Sequence, residues 1–445
     1  MEGHCDRRCP LCVKYGGVTM SQVEVLKELF ESKKNDQLLM DIYLDEGKID
    51  YQRKRYVEAL NKYKELYGDD DVEIYSAPGR SEIGGNHTDH QNGEVLAASI
   101  NLDAIAIVKP LAENVVKVVS DNYPMITIDL SDLELKKEEA ETTTALIKGV
   151  LAGFAERGYS IGGFQTYVTS DVLIGAGLSS SAAFETLIGT ILSGLYNDMK
   201  VSAVEIAIIG QYAENVYFGK PCGLMDQMAC SVGNLVHIDF ADKKNPVIEG
   251  VCCDLGKYGY SLCITDTKGS HADLTADYAA VPAEMKAVAA LLGKEVLHGT
   301  TMEDLYERAA DIRAKVGDRG FLRALHFVNE NLRVQGEVQA LKEENFEEFL
   351  DVVKASGNSS YKYLQNVYTN HDVQSQNVSI ALAVSETVLG KDGVCRVHGG
   401  GFAGTIQAFV KDEAVERYQN AMNRIFGAGS CNVLKIRKYG GMKVM

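Results

Sequence analysis

The chain of 445 residues contains no tryptophan and only 7 prolines, and it has no long uninterrupted apolar segment. Its longest candidate for a membrane helix, residues 184–195, is shorter than the roughly 18 apolar residues that such a helix needs. The first residues carry charges with no apolar core behind them, which is unlike a secretory signal. These absences predict a protein that makes no contact with a membrane.

The chain has fewer basic than acidic residues: 45 Lys and Arg and 62 Asp and Glu give a formal net charge of −17 at pH 7. A negative field of this size repels nucleic acids and anionic lipids. The ten cysteines are scattered, and Cys252 and Cys253 are adjacent, which does not suggest a disulfide framework. We therefore expect a cytoplasmic protein, with a monomer favoured, whose partners are small molecules rather than nucleic acid or membrane.

The first 20 residues differ from the rest of the chain. His4, Cys5, Cys9 and Cys12 have a spacing that could bind an iron–sulfur cluster or zinc. The alternative, which we favour because no second group of ligands follows, is a disordered leader. Residues 21–70 are charged and repeat apolar residues at helical spacing, which predicts an N-terminal extension of two helices.

From residue 71 onwards, short apolar runs alternate with glycines and with helical patterns, which indicates a mixed α+β protein with two lobes. We place the first lobe at residues 71–250 and the second at residues 251–445. VEIYSAPGR predicts a strand that breaks into a loop at Pro78–Gly79. Helices are expected at Met302–Val316 and Phe346–Val353, ahead of a strand–loop–strand unit.

A polar loop follows the strand that contains Pro78. It is written GRSEIGGNHTDHQNG, and it carries Arg80, Asn86, His87 and Asp89 within ten positions. One hypothesis is that this loop binds a polyhydroxylated ligand, and the other is that it is only a polar surface turn.

The segment IGAGLSSSAA combines glycines and serines with the start of an apolar helix. Gly175, Gly177, Ser179, Ser180 and Ser181 would direct backbone N–H groups and the positive end of a helix dipole to one point. Phosphate is the natural ligand for such a turn, and the serine hydroxyls can also bind Mg²⁺. The alternative is a turn that only caps a core helix.

Two acidic residues stand in surroundings that otherwise look buried. Glu214 lies at the edge of an apolar helix face and needs a partner, which a cation would supply. Asp226 follows PCGLM, and a buried aspartate is uncommon unless it is paired or functional, although a helix cap would also explain it.

A third loop, GGGFAG, contains Gly399, Gly400 and Gly401 and matches the pattern G-x-G-x-x-G. A dinucleotide fingerprint has to end a strand and begin a helix, whereas this loop lies between two strand-like segments. We therefore expect a glycine hairpin, which approaches a ligand or is only a tight turn.

Taken together and in this order, the four motifs resemble those of the GHMP small-molecule kinases, and within them the galactokinases. GRSEIGGNHTDHQNG is similar to a sugar signature that reads roughly GRVNLIGEHTDYNGG, and the similarity extends over residues 71–430. The resemblance implies an α+β, two-lobed GHMP kinase fold, with an N-terminal ribosomal-protein-S5-like α/β lobe, a C-terminal α/β lobe and ATP bound between them. The implied reaction is the ATP- and Mg²⁺-dependent phosphorylation of the anomeric hydroxyl of galactose.

The resemblance also implies a role for each matching residue. Asp226 would be the catalytic aspartate, and Arg80 would stabilise charge at the reacting oxygen, lower the pKa of Asp226 and keep it ionised. His87, Asp89 and Tyr278 would bind the sugar, with Asn86 at a further sugar-contact position. The remaining implied residues are the Mg²⁺ ligands Ser181 and Glu214, the phosphate-binding Gly175, Gly177, Ser179, Ser180 and Ser181, and the glycine loop Gly399, Gly400 and Gly401.

The sequence departs from the family pattern mainly around the sugar. Asn86 replaces a glutamate that contacts the 6-hydroxyl, so a 1-kinase for galacturonate or N-acetylgalactosamine is an alternative. A sugar sensor that binds galactose and ATP without catalysis is a second alternative. The other departures are Glu82 for Asn, His90 for Tyr, Leu173 for Pro, AAVPAEM for paired arginines after Tyr278, and His398 and Thr405 for Thr and Cys.

Overall fold

The computed structural model describes residues 21–445, except for Asn122, residues 174–176, Pro221, residues 243–244 and residues 271–273. The predicted cysteine-containing leader, with His4, Cys5, Cys9 and Cys12, lies outside the described residues, as does Gly175 of the serine-rich loop.

The mixed α+β character expected from the sequence is confirmed by the order of the elements. The strands are β1 Ser21–Gln22, β2 Asp71–Gly84, β3 Glu94–Pro110, β4 Val115–Ser120, β5 Ile126–Asp129, β6 Phe164–Ser170, β7 Leu235–Asp239, β8 Val247–Val251, β9 Tyr260–Asp266, β10 Gly393–His398, β11 Thr405–Lys411, β12 Cys431–Leu434 and β13 Met442–Lys443. The helices are α1 Val23–Glu31, α2 Asp36–Tyr43, α3 Ile49–Tyr67, α4 Thr143–Glu156, α5 Ser180–Asn197, α6 Ala203–Tyr212, α7 Met225–Val232, α8 Thr275–Leu291, α9 Met302–Glu307, α10 Ala309–Lys315, α11 Asp318–Lys342, α12 Phe346–Ser359, α13 Asn377–Leu389 and α14 Val415–Phe426.

The larger sheet is built around β2 and β3, which pair antiparallel along most of their length. Its order is β1-β2-β3-β6-β4-β5, with β13 added to β2 and with β7 and β8 added beside β3. Only the pair β4–β6 is parallel among the strands described in this sheet. Strand β3 contacts β7 with its first half and β6 with its second half, so it connects the polar loop to the rest of the sheet.

Strand β2 runs straight through Pro78–Gly79, so the predicted break at that point is wrong. The register with β3 shifts between Pro78 and Arg80 and again between Glu82 and Gly84. Proline lacks an N–H to donate, and a bulge accommodates it without ending the strand. Arg80 therefore lies on a strand rather than in a loop, and its backbone pairs with Ser99 of β3 and donates to the Leu178 carbonyl oxygen.

Three helices, α1 to α3, form the N-terminal segment, where two were predicted. The breaks between the helices fall at Lys33 and at Leu44, whose φ angles of 62° and 55° interrupt the helical path. Apolar residues of these helices pack on one face of β2 and β3, where Ile74, Ile105 and Ile107 are buried.

The opposite face of the same strands packs against α4, α5 and α6. This core contains Phe154, Leu187 and Ile191, all fully buried. Helix α4 comes close to a π-helical turn, Ala213–Phe218, that continues α6. A side chain at Gly149 would place its Cβ 2.7 Å from the Cα of Ala213, so glycine is what permits this contact.

The second sheet has the order β10-β11-β9-β12 and is antiparallel throughout the strands that the structure describes. A shared core that includes Leu96, Leu262 and Phe409 joins it to the first sheet. The loop between β10 and β11 is a hairpin, as predicted for GGGFAG. The chain finally returns to the first sheet, where Met442 pairs with Ser76 of β2.

The helices between β9 and β10 differ from the prediction. The segment Met302–Val316 contains two short helices, α9 and α10, which meet at Arg308. Helix α12 begins at Phe346 as expected and continues to Ser359. The 25-residue helix α11 was not predicted. No helix among the residues described combines the length and apolar character required to cross a bilayer.

Candidate functional site

Arg80 and Asp226 form a bidentate ion pair at the centre of the candidate site. Arg80 Nε lies 2.7 Å from Oδ1 of Asp226, and a terminal guanidinium nitrogen lies 2.8 Å from Oδ2. Burial raises the pKa of Asp226, but the Arg80 guanidinium and the Ser179 hydroxyl outweigh burial and hold that pKa below its ordinary value. The predicted effect of Arg80 on Asp226 is therefore confirmed in direction, and Asp226 is ionised at neutral pH.

The serine-rich loop contacts this ion pair directly. The Ser179 hydroxyl donates a hydrogen bond to Asp226, and Arg80 donates to the carbonyl oxygen of Gly177. Ser180 begins α5, whose first turn leaves backbone N–H groups without helical acceptors. The loop therefore presents an anion-binding helix terminus beside an ionised carboxylate.

Ser181 and Glu214 lie together on the other side of the serine-rich loop. Ser181 Oγ is 3.3 Å from Glu214 Oε1, and Lys220 Nζ is also 3.3 Å from that oxygen. The other oxygen, Oε2, accepts a hydrogen bond of 2.7 Å from Gln227. A serine hydroxyl and a buried carboxylate are hard oxygen donors of the kind that Mg²⁺ binds together with substrate phosphates. No group of three or more His, Cys, Asp or Glu with metal-binding geometry occurs in the described part of the chain.

The glycine loop Gly399–Gly401 faces the polar loop that follows β2. His87 Nε2 lies 3.0 Å from the carbonyl oxygen of Gly400, and the Tyr278 hydroxyl donates to the carbonyl oxygen of Gly401 at 2.7 Å. The turn needs glycine, since φ is 67° at Gly399 and 81° at Gly401. The structure thus brings the predicted sugar residues His87 and Tyr278 to the glycine loop.

Asp89 connects the polar loop to the segment that carries Asp226. A Cβ at Gly223 would lie 2.9 Å from Oδ2 of Asp89, so the two residues are in contact. Gly223 is three residues before Asp226 in the sequence. The four motifs therefore meet in one region, with the ion pair between the serine-rich loop and the polar loop.

Asn86 is placed differently from the expectation, because its side chain is fully buried and hydrogen-bonds only to protein groups. Its Nδ2 donates to Glu82 Oε1 at 2.9 Å and to the carbonyl oxygen of Gly399 at 2.7 Å. The expected direct contact between Asn86 and a ligand is therefore not available in this structure. Burial raises the pKa of Glu82 and outweighs the opposing effects of Arg396 and Asn86.

His398 and Thr405, which the sequence singled out as departures, lie behind Gly177. His398 Nε2 accepts a hydrogen bond from the backbone N–H of Glu82 at 3.2 Å, so the ring hydrogen is on Nδ1 and donates to Thr405 Oγ1 at 2.9 Å. Burial, with the charges of Arg80 and Arg396, lowers the pKa of His398 to about 3. A neutral imidazole therefore supports the loop beside the ion pair.

A buried polar stripe on α11 lies under the polar loop and was missed from the sequence. Glu330 Oε1 accepts from the Asn86 backbone N–H at 3.4 Å, and His326 Nε2 donates to the Asn86 carbonyl oxygen at 3.0 Å. Burial raises the pKa of Glu330, but His326, Arg333 and Arg396 outweigh burial and lower that pKa to about 2. The available signal was the spacing of polar residues at positions 323, 326, 330 and 337, which places them on one helix face.

Two family models match the chain. The model described as the GHMP kinases N terminal domain matches residues 145–234, which contain the serine-rich loop and Asp226. The model described as the galactokinase galactose-binding signature matches residues 61–110, which contain the polar loop.

Individual proteins are similar over most of their length. A galactokinase of Actinobacillus pleuropneumoniae serotype 3 (strain JL03) is 31% identical over 360 residues, which cover 80% of this chain and 90% of that protein. A galactokinase of Clostridium tetani (strain Massachusetts / E88) is 27% identical over 376 residues, which cover 83% and 93%. Among solved structures, the galactokinase of Lactococcus lactis complexed with galactose has a TM-score of 0.72 at 25% identity, covering 86% of this chain and 98% of that one.

Proposed function

The chain belongs to the galactokinase family of GHMP kinases, and on that premise we propose that it transfers the γ-phosphoryl group of ATP to the anomeric hydroxyl of galactose. The product is α-galactose 1-phosphate. The observation that supports this proposal most strongly is the contact of Asp226 with both Arg80 and Ser179, which puts an ionised carboxylate at the mouth of an anion-binding loop.

Asp226 is the residue that acts on the acceptor. A sugar hydroxyl is a poor nucleophile, and a carboxylate that accepts its proton as the new oxygen–phosphorus bond forms makes the attack easier. The bond between the γ-phosphorus and the bridging oxygen of ADP breaks in the same step. Arg80 keeps Asp226 ionised and contributes positive charge beside the reacting oxygen.

The serine-rich loop is the site of the triphosphate. The free N–H groups at the start of α5 and the hydroxyl of Ser180 donate to phosphate oxygens without any need for lysine. The Ser179 hydroxyl has a single proton, which it donates to Asp226. Glycine at position 177 lets the loop pack closely on Thr405, because a Cβ there would lie 3.1 Å from Thr405 Oγ1.

Ser181 and Glu214 are the residues that would hold Mg²⁺. Their oxygens already lie 3.3 Å apart, and Glu214 is buried. The ion, when bound, neutralises charge on the phosphate oxygens. Lys220 shares the Glu214 carboxylate and balances its charge when the ion is absent.

The sugar is held by His87, Asp89 and Tyr278 in this proposal. His87 and Tyr278 use their polar groups on carbonyl oxygens of the glycine loop, and Asp89 adjoins Gly223. An imidazole, a phenol hydroxyl and a carboxyl group together offer donors and acceptors for several sugar hydroxyls.

The test is turnover with a panel of aldoses at saturating Mg·ATP, measured by ADP release, with ³¹P NMR to identify a phosphate on the anomeric oxygen. Galactose should be the preferred substrate. Preference for galacturonate or N-acetylgalactosamine would contradict the proposal in favour of a related 1-kinase. Binding of galactose with no turnover of any sugar would indicate a sensor.

Asp226→Asn is the decisive variant. It keeps the size of the side chain and a hydrogen bond to Arg80 but removes the proton acceptor, so kcat should fall by about 10²–10⁴-fold. Galactose binding, measured by calorimetry, should change by less than about threefold. Asp129→Asn, at an exposed turn, is the matched control and should retain the activity of the unmodified protein. Full activity of Asp226→Asn would refute the assigned role.

A further inference from the structure

The Asn86 side chain joins three segments of the chain through four partners. Its Nδ2 donates to Glu82 in β2 and to Gly399 in the glycine loop. Its Oδ1 accepts from Ser360 Oγ at 3.2 Å and from Asn366 Nδ2 at 2.8 Å. A primary amide can donate two hydrogen bonds and accept two, so these contacts use all of its capacity.

The glycine loop depends on the same contacts. The carbonyl oxygen of Gly399 is bound by Asn86, and that of Gly400 lies 3.2 Å from Asn366 Nδ2 and 3.0 Å from His87. Gly401 packs directly on Asn366, because a Cβ at Gly401 would lie 1.9 Å from the Asn366 carbonyl oxygen. Asn86 and Asn366 therefore help to fix the position of the loop, together with His87 and Tyr278.

We propose that Asn86 is a positioning residue for the sugar pocket, which holds the glycine loop at a fixed distance from His87 without touching the sugar. This inference rests on the proposed function, because it assigns the pocket beside His87 and Tyr278 to the sugar. The amide is required for a physical reason. A carboxylate at position 86 would turn the two donors of Nδ2 into acceptors that face Glu82 Oε1 and the Gly399 carbonyl oxygen, and like groups at 2.7–2.9 Å repel.

The first experiment is kinetic and uses Asn86→Asp, which has nearly the same shape as the natural residue. The KM for galactose should rise at least tenfold, while kcat and the KM for ATP should change by less than about threefold. The unit of Arg80, Asp226 and Ser179 has no direct contact with Asn86 among the described residues, which is why kcat should be retained.

A comparison of galactose with 6-deoxygalactose separates positioning from direct contact. If Asn86 only positions the loop, Asn86→Asp weakens the binding of both sugars by the same factor. A loss that is confined to galactose would show that Asn86 touches the 6-hydroxyl, and it would overturn the inference.

Asn101→Asp is the matched control for a buried amide. Asn101 donates to the Tyr43 carbonyl oxygen at 3.0 Å and accepts from the Lys435 N–H at 2.9 Å, and neither of these partners belongs to the glycine loop or to the contacts of Asn86. The substitution Asn101→Asp should lower the melting temperature and leave the KM for galactose unchanged. If Asn86→Asp likewise changed only the melting temperature, its role would be structural and the inference would be overturned.

A second measurement does not depend on any substrate. Phe402 N–H donates to the Asn366 carbonyl oxygen at 2.5 Å, and Ala403 N–H donates to that of Gly401 at 2.6 Å, so both amides report on the loop by hydrogen exchange. Asn86→Asp and Asn366→Ala should each speed their exchange at least tenfold, and Asn101→Asp should not. Unchanged exchange would overturn the inference, whereas absence of galactose turnover in the unmodified protein would contradict only the proposed function.

Discussion

Two buried histidines, His326 and His398, are neutral at pH 7 because burial disfavours the charged form of the imidazole. His326 donates to the Asn86 carbonyl oxygen from Nε2 and lies 2.9 Å from Ser359 Oγ through Nδ1. Burial lowers its pKa to about 4 despite the opposing charge of Glu330, and the pKa of His398 falls to about 3. Between these lowered pKa values and the ordinary value of 6.5, both imidazoles are therefore neutral in the folded protein and protonated in the unfolded chain.

Acidification should consequently destabilise the folded protein. Below an ordinary histidine pKa of 6.5 the unfolded chain takes up a proton at each position and the folded chain does not, so unfolding is favoured as the pH falls. Each histidine should remove about 1.4 kcal/mol of unfolding free energy per pH unit between about pH 6 and pH 4. Urea unfolding at several pH values measures the slope.

His398→Gln is the variant that isolates one of these contributions. Its slope should be smaller than that of the unmodified protein by about 1.4 kcal/mol per pH unit. The exposed His298→Gln is the control for the loss of a histidine. Equal slopes in His398→Gln and the unmodified protein would contradict this assignment.

The residues of the site were predictable to different degrees. Arg80 and Asp226 follow from motifs whose chemistry requires one arginine and one carboxylate, and the structure pairs them. The direction of the Asn86 side chain could not be predicted, because it is set by Gly399 and Asn366, which are 313 and 280 residues away in the sequence. A local pattern carries no information about such partners.

At the level of elements, glycine controls how closely helices approach. Gly149 in α4 leaves no space for a Cβ beside Ala213, whereas the nearest atom to a Cβ at Gly336 in α11 is 3.7 Å away. Both residues lie in helix interiors, where glycine is less favourable than alanine by about 1 kcal/mol. Substituting each of these two glycines by alanine therefore distinguishes the effect of helix propensity on stability from the effect of packing.

Gly336→Ala should stabilise the protein by about 0.5–1 kcal/mol, because it removes the cost of glycine without a clash. Gly149→Ala should destabilise it by about 1–3 kcal/mol, because the added methyl group forces α4 away from the π-helical turn. The midpoints of urea unfolding measure both effects. Stabilisation by both substitutions would show that α4 can move freely.

The elements themselves show which patterns were informative. Helix α6 begins directly after Ser202, a residue type that favours helix starts, and the Ser202 side chain accepts from the Glu205 N–H. Helix α11 escaped prediction because Arg323, His326, Glu330 and Glu337 lie among the apolar residues of its buried side and interrupt the apolar pattern. Strand β2 was cut short in the prediction because a proline was taken as its end, although a bulge absorbs it.

At the level of the whole molecule, Asp103 connects three parts of the chain. Arg55 of α3 lies 2.6 Å from Oδ1, and Arg437 near the C-terminal end lies 2.8 Å from Oδ2. Tyr43 of α2 donates to Oδ2 at 2.9 Å. Burial raises the pKa of Asp103, but the charges of Arg55 and Arg437 outweigh burial and hold that pKa below its ordinary value. The N-terminal helices are therefore part of the main structure.

Asp103→Asn should lower the unfolding free energy by about 3–5 kcal/mol, since it leaves two buried guanidinium groups with too little negative charge. Unfolding followed by circular dichroism and by tyrosine fluorescence should remain a single transition at a lower urea concentration. Asp50→Asn, which breaks an exposed pair with Arg53, is the control and should leave the midpoint essentially unchanged. Equal midpoints for the two variants would contradict the role of Asp103.

The pairing of Met442 with Ser76 has a consequence for how the protein is made. Residues 74–76 of β2 reach the ribosome exit early, but their edge partners at 442–445 are translated after every other strand that the structure describes. At 5–20 residues per second, this edge waits about 20–70 s for its partner after Gly84 has been added. An open strand edge pairs readily with a neighbouring chain, so nascent copies on one messenger have to be shielded from each other for that time.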